Sequence, residues 1–182
     1  MINETEFRAK FGKGDVIFVS DMGDLFGSFV PSEWVIQVLE YTSRFPETSF
    51  LFMTKNPIRY LDFQYRIPKN AILGATIETN IDNIFQTDGI SQAPLPSERF
   101  DAMKNLDWER KLLSIEPILD FDLEIFAKWV EDVYPFLVYV GYDNYGHNLK
   151  EPSEKKTLEL IDRISENTLV IKKTIRPAWF EK

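Results

Sequence analysis

Two lone glutamates, in 77-IETN-80 and 115-IEP-117, each follow directly on a run of apolar residues. A carboxylate set down at the end of a buried run costs several kcal/mol of desolvation unless something positive meets it. The same pattern recurs along the chain, at Ser20-Asp21, Thr54-Lys55, Glu78-Thr79, Glu116-Pro117, Tyr142-Asp143-Asn144 and Lys172-Lys173. Taken singly, a polar residue after an apolar run marks only the start of a loop. Taken together, Asp21, Asp24, Glu78, Glu116 and Asp143 at one mouth repel one another unless a lysine such as Lys55, a metal ion or a cationic ligand sits among them. An amino group, a sulfonium centre or magnesium suits such a mouth. A phosphate suits it only with a metal, because the G-x-x-x-x-G-K-S/T cradle is absent. Gly23 and Gly27 beside Asp24 let backbone approach a ligand, and serve equally as turn residues. The run 141-GYDNYGHN-148 offers rings for stacking on a flat ligand or simply forms a loop, and His147 reads as a surface loop residue rather than a base.

The elements that must position these groups are legible in the hydrophobic pattern. Strand-length apolar runs occur at Val16–Ser20, Ser49–Thr54, Ile72–Ile77, Lys111–Ile115, Phe136–Val140 and Leu169–Lys172. The run at Val16–Ser20 is apolar enough to suggest a strand covered on both faces. Helical spacing follows Pro31-Ser32, with Trp34, Val35, Val38, Leu39 and Thr42 on one stripe. It recurs after Asp120 or Asp122 as N-cap, with Ile125, Phe126, Trp129, Val130 and Val133 inward, and after Pro152-Ser153, with Leu158, Ile161 and Ile164 or Ser165 inward. Shorter helices are expected after Pro57 and Ser97. The piece 86-QTDGISQAPLP-96 reads as a long irregular connection. Tyr139 and Trp108 read as packing residues, Trp179 as cover for an open end, and one of Lys172 and Lys173 as inward-facing. Alternating strands and helices predict an α/β fold with a parallel sheet, whose ligands bind at the carboxyl ends of the strands.

Composition narrows the chemistry. With 21 Lys and Arg against 29 Asp and Glu the formal net charge is -8, and no basic run interrupts it, so nucleic acid is an unfavourable partner. Cysteine is absent, which excludes disulfides, thiolate metal sites and cysteine nucleophiles within these residues. A single histidine excludes imidazole-rich metal sites. No run of about 18 apolar residues is present, and 1-MINETEFRAKFGKG-14 lacks an apolar signal core. The expectation is a single cytoplasmic α/β domain over 1–182 that does not enter a membrane. Within it, 1–14 is a lead-in and 147–182 a final helix and strand.

Five segments in order, 18-FVSDMGDLF-26, 52-FMTKNPIRY-60, 72-ILGATIETN-80, 112-LLSIEPILD-120 and 138-VYVGYDNYG-146, resemble the C-terminal part of the radical S-adenosylmethionine (radical SAM) superfamily. The likeness is nearest to its uncharacterised phage-associated, radical-SAM-like group, with spore photoproduct lyase more distant, and covers most of 15–146. The resemblance implies a partial, TIM-like (β/α) barrel whose mouth is formed by Asp21, Asp24, Lys55, Glu78, Glu116, Tyr142 and Asp143. By resemblance Asp21 and Asp24 lie near the ligand's amino group, Glu78 near the ribose, Glu116 near the methionine or adenosine, and Tyr142 and Asp143 near the adenine. The family's first strand and the loop whose three cysteines hold a [4Fe-4S] cluster have no counterpart here. The implied protein therefore binds S-adenosylmethionine or a related nucleoside without performing radical chemistry alone. A cluster requires cysteines from an upstream segment or a partner. The edge at Val16–Ser20 is expected to be covered by a second copy or by a complementing N-terminal, cysteine-bearing subunit. Two alternatives are a magnesium-dependent hydrolase or phosphotransfer enzyme using Asp21, Glu78 and Glu116 with Lys55, and a non-catalytic subunit.

Overall fold

The structure, a computed structural model, describes residues 3–87 and 91–181, and the middle of the expected irregular connection, 88–90, lies outside them. Six strands, β1 (Val16–Val19), β2 (Ser49–Thr54), β3 (Ala71–Thr76), β4 (Lys111–Ile115), β5 (Leu137–Val140) and β6 (Leu169–Lys172), form one sheet in the order of the chain. Every neighbouring pair is parallel, and β1 and β6 do not pair with each other. The connections carry helices α1 (Ser32–Thr42), α2 (Ile58–Phe63), α3 (Asp82–Thr87), α4 (Pro96–Asn105), α5 (Leu123–Val133) and α6 (Glu154–Ile164). Short 3-10 turns η1 (Glu4–Arg8) and η2 (Trp179–Glu181) flank the whole. Among the described residues no helix is long and apolar enough to cross a membrane.

Each of the expected strands forms, to within a residue at its ends. The helix starts follow their caps: the Asp122 carboxylate accepts from the Ile125 N–H at 3.0 Å, and the Ser153 hydroxyl from the Lys156 N–H at 3.3 Å. One element escapes the sequence pattern. Asp82–Thr87 is helical, where a loop was expected to begin at Gln86. It is too short to show a period and is held by tertiary contact, with Ile84 and Phe85 buried and Asp82 bonded to the Ser97 N–H and hydroxyl at 3.1 and 2.6 Å.

A strand alternates its side chains between faces, so register assigns two layers. Phe50, Phe52, Leu73, Ala75, Leu113, Ile115, Val138 and Val140 share one face and pack against residues of α1, α2, α4, α5 and α6 in one core. Each fully buried phenylalanine or leucine there contributes about 1.5–3 kcal/mol. The opposite face carries a separate cluster of strand residues alone, Ile72, Leu112 and Leu137 with Leu51, Met53 and Tyr139 at its margin. Helices thus cover one side of the sheet. Lys111 falls on the helix side and is buried, and its ammonium donates to the Met103 and Leu106 carbonyls at the end of α4.

Three expectations are corrected. β1 is not covered on both faces: Ile17 and Val19, on the helix side, are half-buried, whereas Val16 and Phe18, on the helix-free face, are 65% and 48% exposed. Ile125 in α5 turns outward while Phe126, Ala127, Val130 and Val133 face the core, which narrows the expected stripe. Lys172 and Lys173 are both exposed, Lys173 lying over the Tyr139 ring at 4.9 Å, so neither is enclosed.

Candidate functional site

Continuing the alternation past the strand ends carries Lys55, Glu78 and Glu116 onto the helix-free face, in line with Met53, Thr76 and Ser114. The ends are laced together by successive contacts. Asp24, after β1, accepts from the Lys55 N–H at 2.9 Å and from Phe26 N–H at 3.0 Å. Lys55, after β2, donates through its ammonium to Glu78 Oε1 at 2.6 Å. The Glu78 carbonyl, after β3, accepts from Leu119 N–H at 2.9 Å, beyond β4. Ile118 N–H donates to the Gly141 carbonyl at 2.8 Å, beyond β5, and Tyr142 N–H to Thr174 at 2.9 Å, beyond β6.

At the centre stands Glu78, wholly buried and held by two cations. Its Oε2 accepts from Arg99 Nη1 at 2.8 Å, and Arg99 is itself wholly buried. The guanidinium also donates to Thr76 and Pro94 carbonyls, at 3.0 and 2.7 Å, and lies over the Phe85 ring at 4.6 Å. Its Nη2 has no partner among the described residues. Burial holds the Arg99 pKa below its ordinary value, against the opposing pull of Glu78 and, more weakly, of Asp24 and Asp82. Both cations, Lys55 and Arg99, are thus paired with Glu78, and Asp24 is bound to Lys55 through its backbone N–H alone. Sequence reasoning missed Arg99, although a signal existed: Pro96, Arg99, Phe100 and Met103 fall on one apolar stripe of α4. An arginine on such a stripe requires a buried acid.

Glu116 is placed differently. It is half-buried, makes no hydrogen bond or ion pair to a described residue, and is joined to Pro117 by a cis peptide bond. Gly141 lets the chain approach it, because a Cβ there would lie 3.2 Å from Glu116 Oε1 and 2.9 Å from Lys173 Cβ. Asp21 is exposed and without a side-chain partner among the described residues.

Tyr142 and Asp143 are each engaged by other partners and do not join the Asp24–Lys55–Glu78 chain of contacts. The Tyr142 ring is enclosed, its hydroxyl 2.7 Å from that of Thr157 and donating to Pro152 at 3.2 Å, with Arg176 over the ring at 5.0 Å. Burial raises its pKa. Asp143 closes the following loop: it accepts from the Tyr145 and His147 N–H groups at 3.2 and 2.8 Å and pairs with His147 Nδ1 at 3.0 Å. Desolvation would raise its pKa, but the His147 and Tyr145 bonds prevail and hold it low. His147 itself is exposed. A second missed pair, Arg176 and buried Glu151 at 2.7 Å, fastens the C-terminal segment beneath this loop. Trp179 is partly exposed there, its indole donating to Leu149.

The arrangement joins Asp24, Lys55 and Glu78 directly, sets Glu116 on the same face, and leaves Asp21 at the β1 side. Among the described residues no group of three or more histidine or acidic side chains is placed to hold a metal ion. No curated protein matches the chain. The model of the family described as protein of unknown function (DUF5131) matches residues 3–131, well over half of the sequence, and the chain belongs to that family.

Proposed function

We propose that the chain is a radical-SAM-like partial barrel without its cluster segment, which binds S-adenosylmethionine or a related nucleoside where the strands end. The sequential parallel order, with helices on one side only, supports the barrel type, since a sheet wound in one direction curls around its helix-free face. A [4Fe-4S] cluster does not fit these residues: there is no thiolate to hold it, so no reaction step is assigned to it. A cluster would need cysteines from outside these 182 residues.

One observation carries the reading: Glu116 is a half-buried carboxylate on the helix-free face with no ion pair among the described residues, while Glu78 is already balanced by Lys55 and Arg99 and Asp24 is taken up by the Lys55 and Phe26 N–H groups. A ligand with a positive centre supplies the missing charge. Glu78 and Tyr142 have no exposed surface, so in this reading they shape the site and Glu116 makes the contact. Lys55, whose side chain is 37% exposed, offers its remaining donors to a ligand carboxylate or hydroxyl.

Calorimetric titration tests this. S-adenosylmethionine is expected to bind more tightly than S-adenosylhomocysteine, which lacks the sulfonium charge, and Glu116→Gln is expected to erase most of that difference. Absence of heat from both nucleosides, or binding of magnesium chloride alone, overturns the proposal.

A further inference from the structure

A cavity of about 820 Å³ lies against β1, walled by η1, α1 and the loop that follows β1. Two independent features describe it. The first is an unpaired ladder. The Asp15 carbonyl accepts from Ser49 N–H at 2.8 Å and Val16 is in register with Ser49. The backbone groups of Ile17 and Val19 therefore face β2, and those of Val16 and Phe18 face outward with no strand beside them. The opposite edge strand of the sheet, β6, carries Lys172 within it, a charge of the kind that blunts a free edge; β1 reads Val-Ile-Phe-Val and has none within it. The second feature is charge. The side chains lining the cavity are mostly apolar, among them Phe7, Phe11 and the 79% exposed Phe29. Glu6, Asp21 and Asp24 line it too, whereas lysine and arginine are absent from its described lining.

From these we infer that the β1 edge is a strand-addition site for a separate protein segment: extended, apolar at alternate positions, and bearing lysine or arginine at the end that lies beside Asp21 and Asp24. Backbone bonds to Val16 and Phe18 supply affinity, and the apolar wall and acidic end supply selection. A second copy of this chain fits less well, because a body of net charge -8 would bring acidic rim against acidic rim. The site shares Asp21 and Asp24 with the proposed nucleoside mouth but needs no nucleoside, so its test is run without one and either idea can fail alone.

The probes are two short fluorescein-labelled peptides of alternating valine and threonine, one ending in paired lysines and the other in paired glutamates, titrated by anisotropy against the full chain. The lysine peptide is expected to bind about ten-fold more tightly, as one or two exposed ion pairs allow, with the gap closing at high salt. Phe18→Pro, at a position whose N–H faces away from the sheet, is expected to abolish binding without changing the circular dichroism. Should that variant fail to fold, Asp21→Lys provides the second arm and is expected to reduce or reverse the preference for lysine. Equal affinity for the two peptides, no binding of either, or binding undiminished in the variants overturns the inference. So does light scattering that finds the free chain already dimeric through this edge.

Discussion

Glu78 and Glu116 occupy equivalent places in the sequence pattern, each a single acid after a strand and each carried onto the helix-free face of the sheet. Their surroundings are opposite. Glu78 is sealed between Lys55 and Arg99 with no exposed surface, whereas Glu116 keeps part of its surface and has no described partner. A buried carboxylate held by two cations acts on the fold, since removing either side leaves an uncompensated charge in a dry interior. A carboxylate without a cation is a group still able to meet one. Residue type and spacing are thus the same for an acid that holds strands together and for one available to a ligand.

The largest way to sharpen this contrast is to remove the cation behind Glu78. Arg99→Ala is expected to lower the unfolding free energy by about 3–5 kcal/mol in urea. Pairing Arg99→Met with Glu78→Gln should cost clearly less than the sum of the two single changes, because the second no longer strands a charge. Strictly additive costs would mean that the two do not act as a unit. A smaller loss, about 1 kcal/mol, is expected for Tyr60→Phe. That buried hydroxyl donates to the carbonyls of Phe52 and Gly74, at 2.9 and 2.8 Å, and burial followed by the nearby Asp24 raises its pKa far above the ordinary value.

Smallest is a pH effect at the loop after β5. The Asp143 carboxyl titrates lower in the folded chain than in the unfolded one. Its stabilisation is therefore complete above the ordinary aspartate value of about 3.9 and disappears as pH falls through the lowered folded value. Wild-type stability should decline over that acid window by more than that of Asp143→Asn, as followed by urea midpoints against pH. Parallel curves would show that the Asp143 loop does not contribute.

The sheet was almost wholly legible in the sequence because long apolar runs alternating with helical stripes admit few other arrangements, and the caps at Asp122 and Ser153 mark their own helices. What was not legible depends on tertiary partners. The short helix α3 has no period of its own, and the exposure of Val16 and Phe18 follows from their lying on the helix-free face, which a run reading Val-Ile-Phe-Val cannot announce. The same holds for the acids. Asp24, Lys55 and Glu78 do come together, but Tyr142 is enclosed and Asp143 binds its own loop, and no local feature of 141-GYDNYGHN-148 separates those outcomes. Arg99 could have been found by asking why a charge interrupts the inner stripe of α4.

The division between the two glutamates is tested most directly by urea unfolding of Glu78→Gln and Glu116→Gln side by side, since both changes keep shape and remove one charge. Glu78→Gln should lose about 3 kcal/mol, and Glu116→Gln should stay within about 0.5 kcal/mol of the parent, as a substitution that breaks no contact does. Equal losses, or a greater loss at Glu116, would contradict the assignment of one acid to the fold and the other to a ligand.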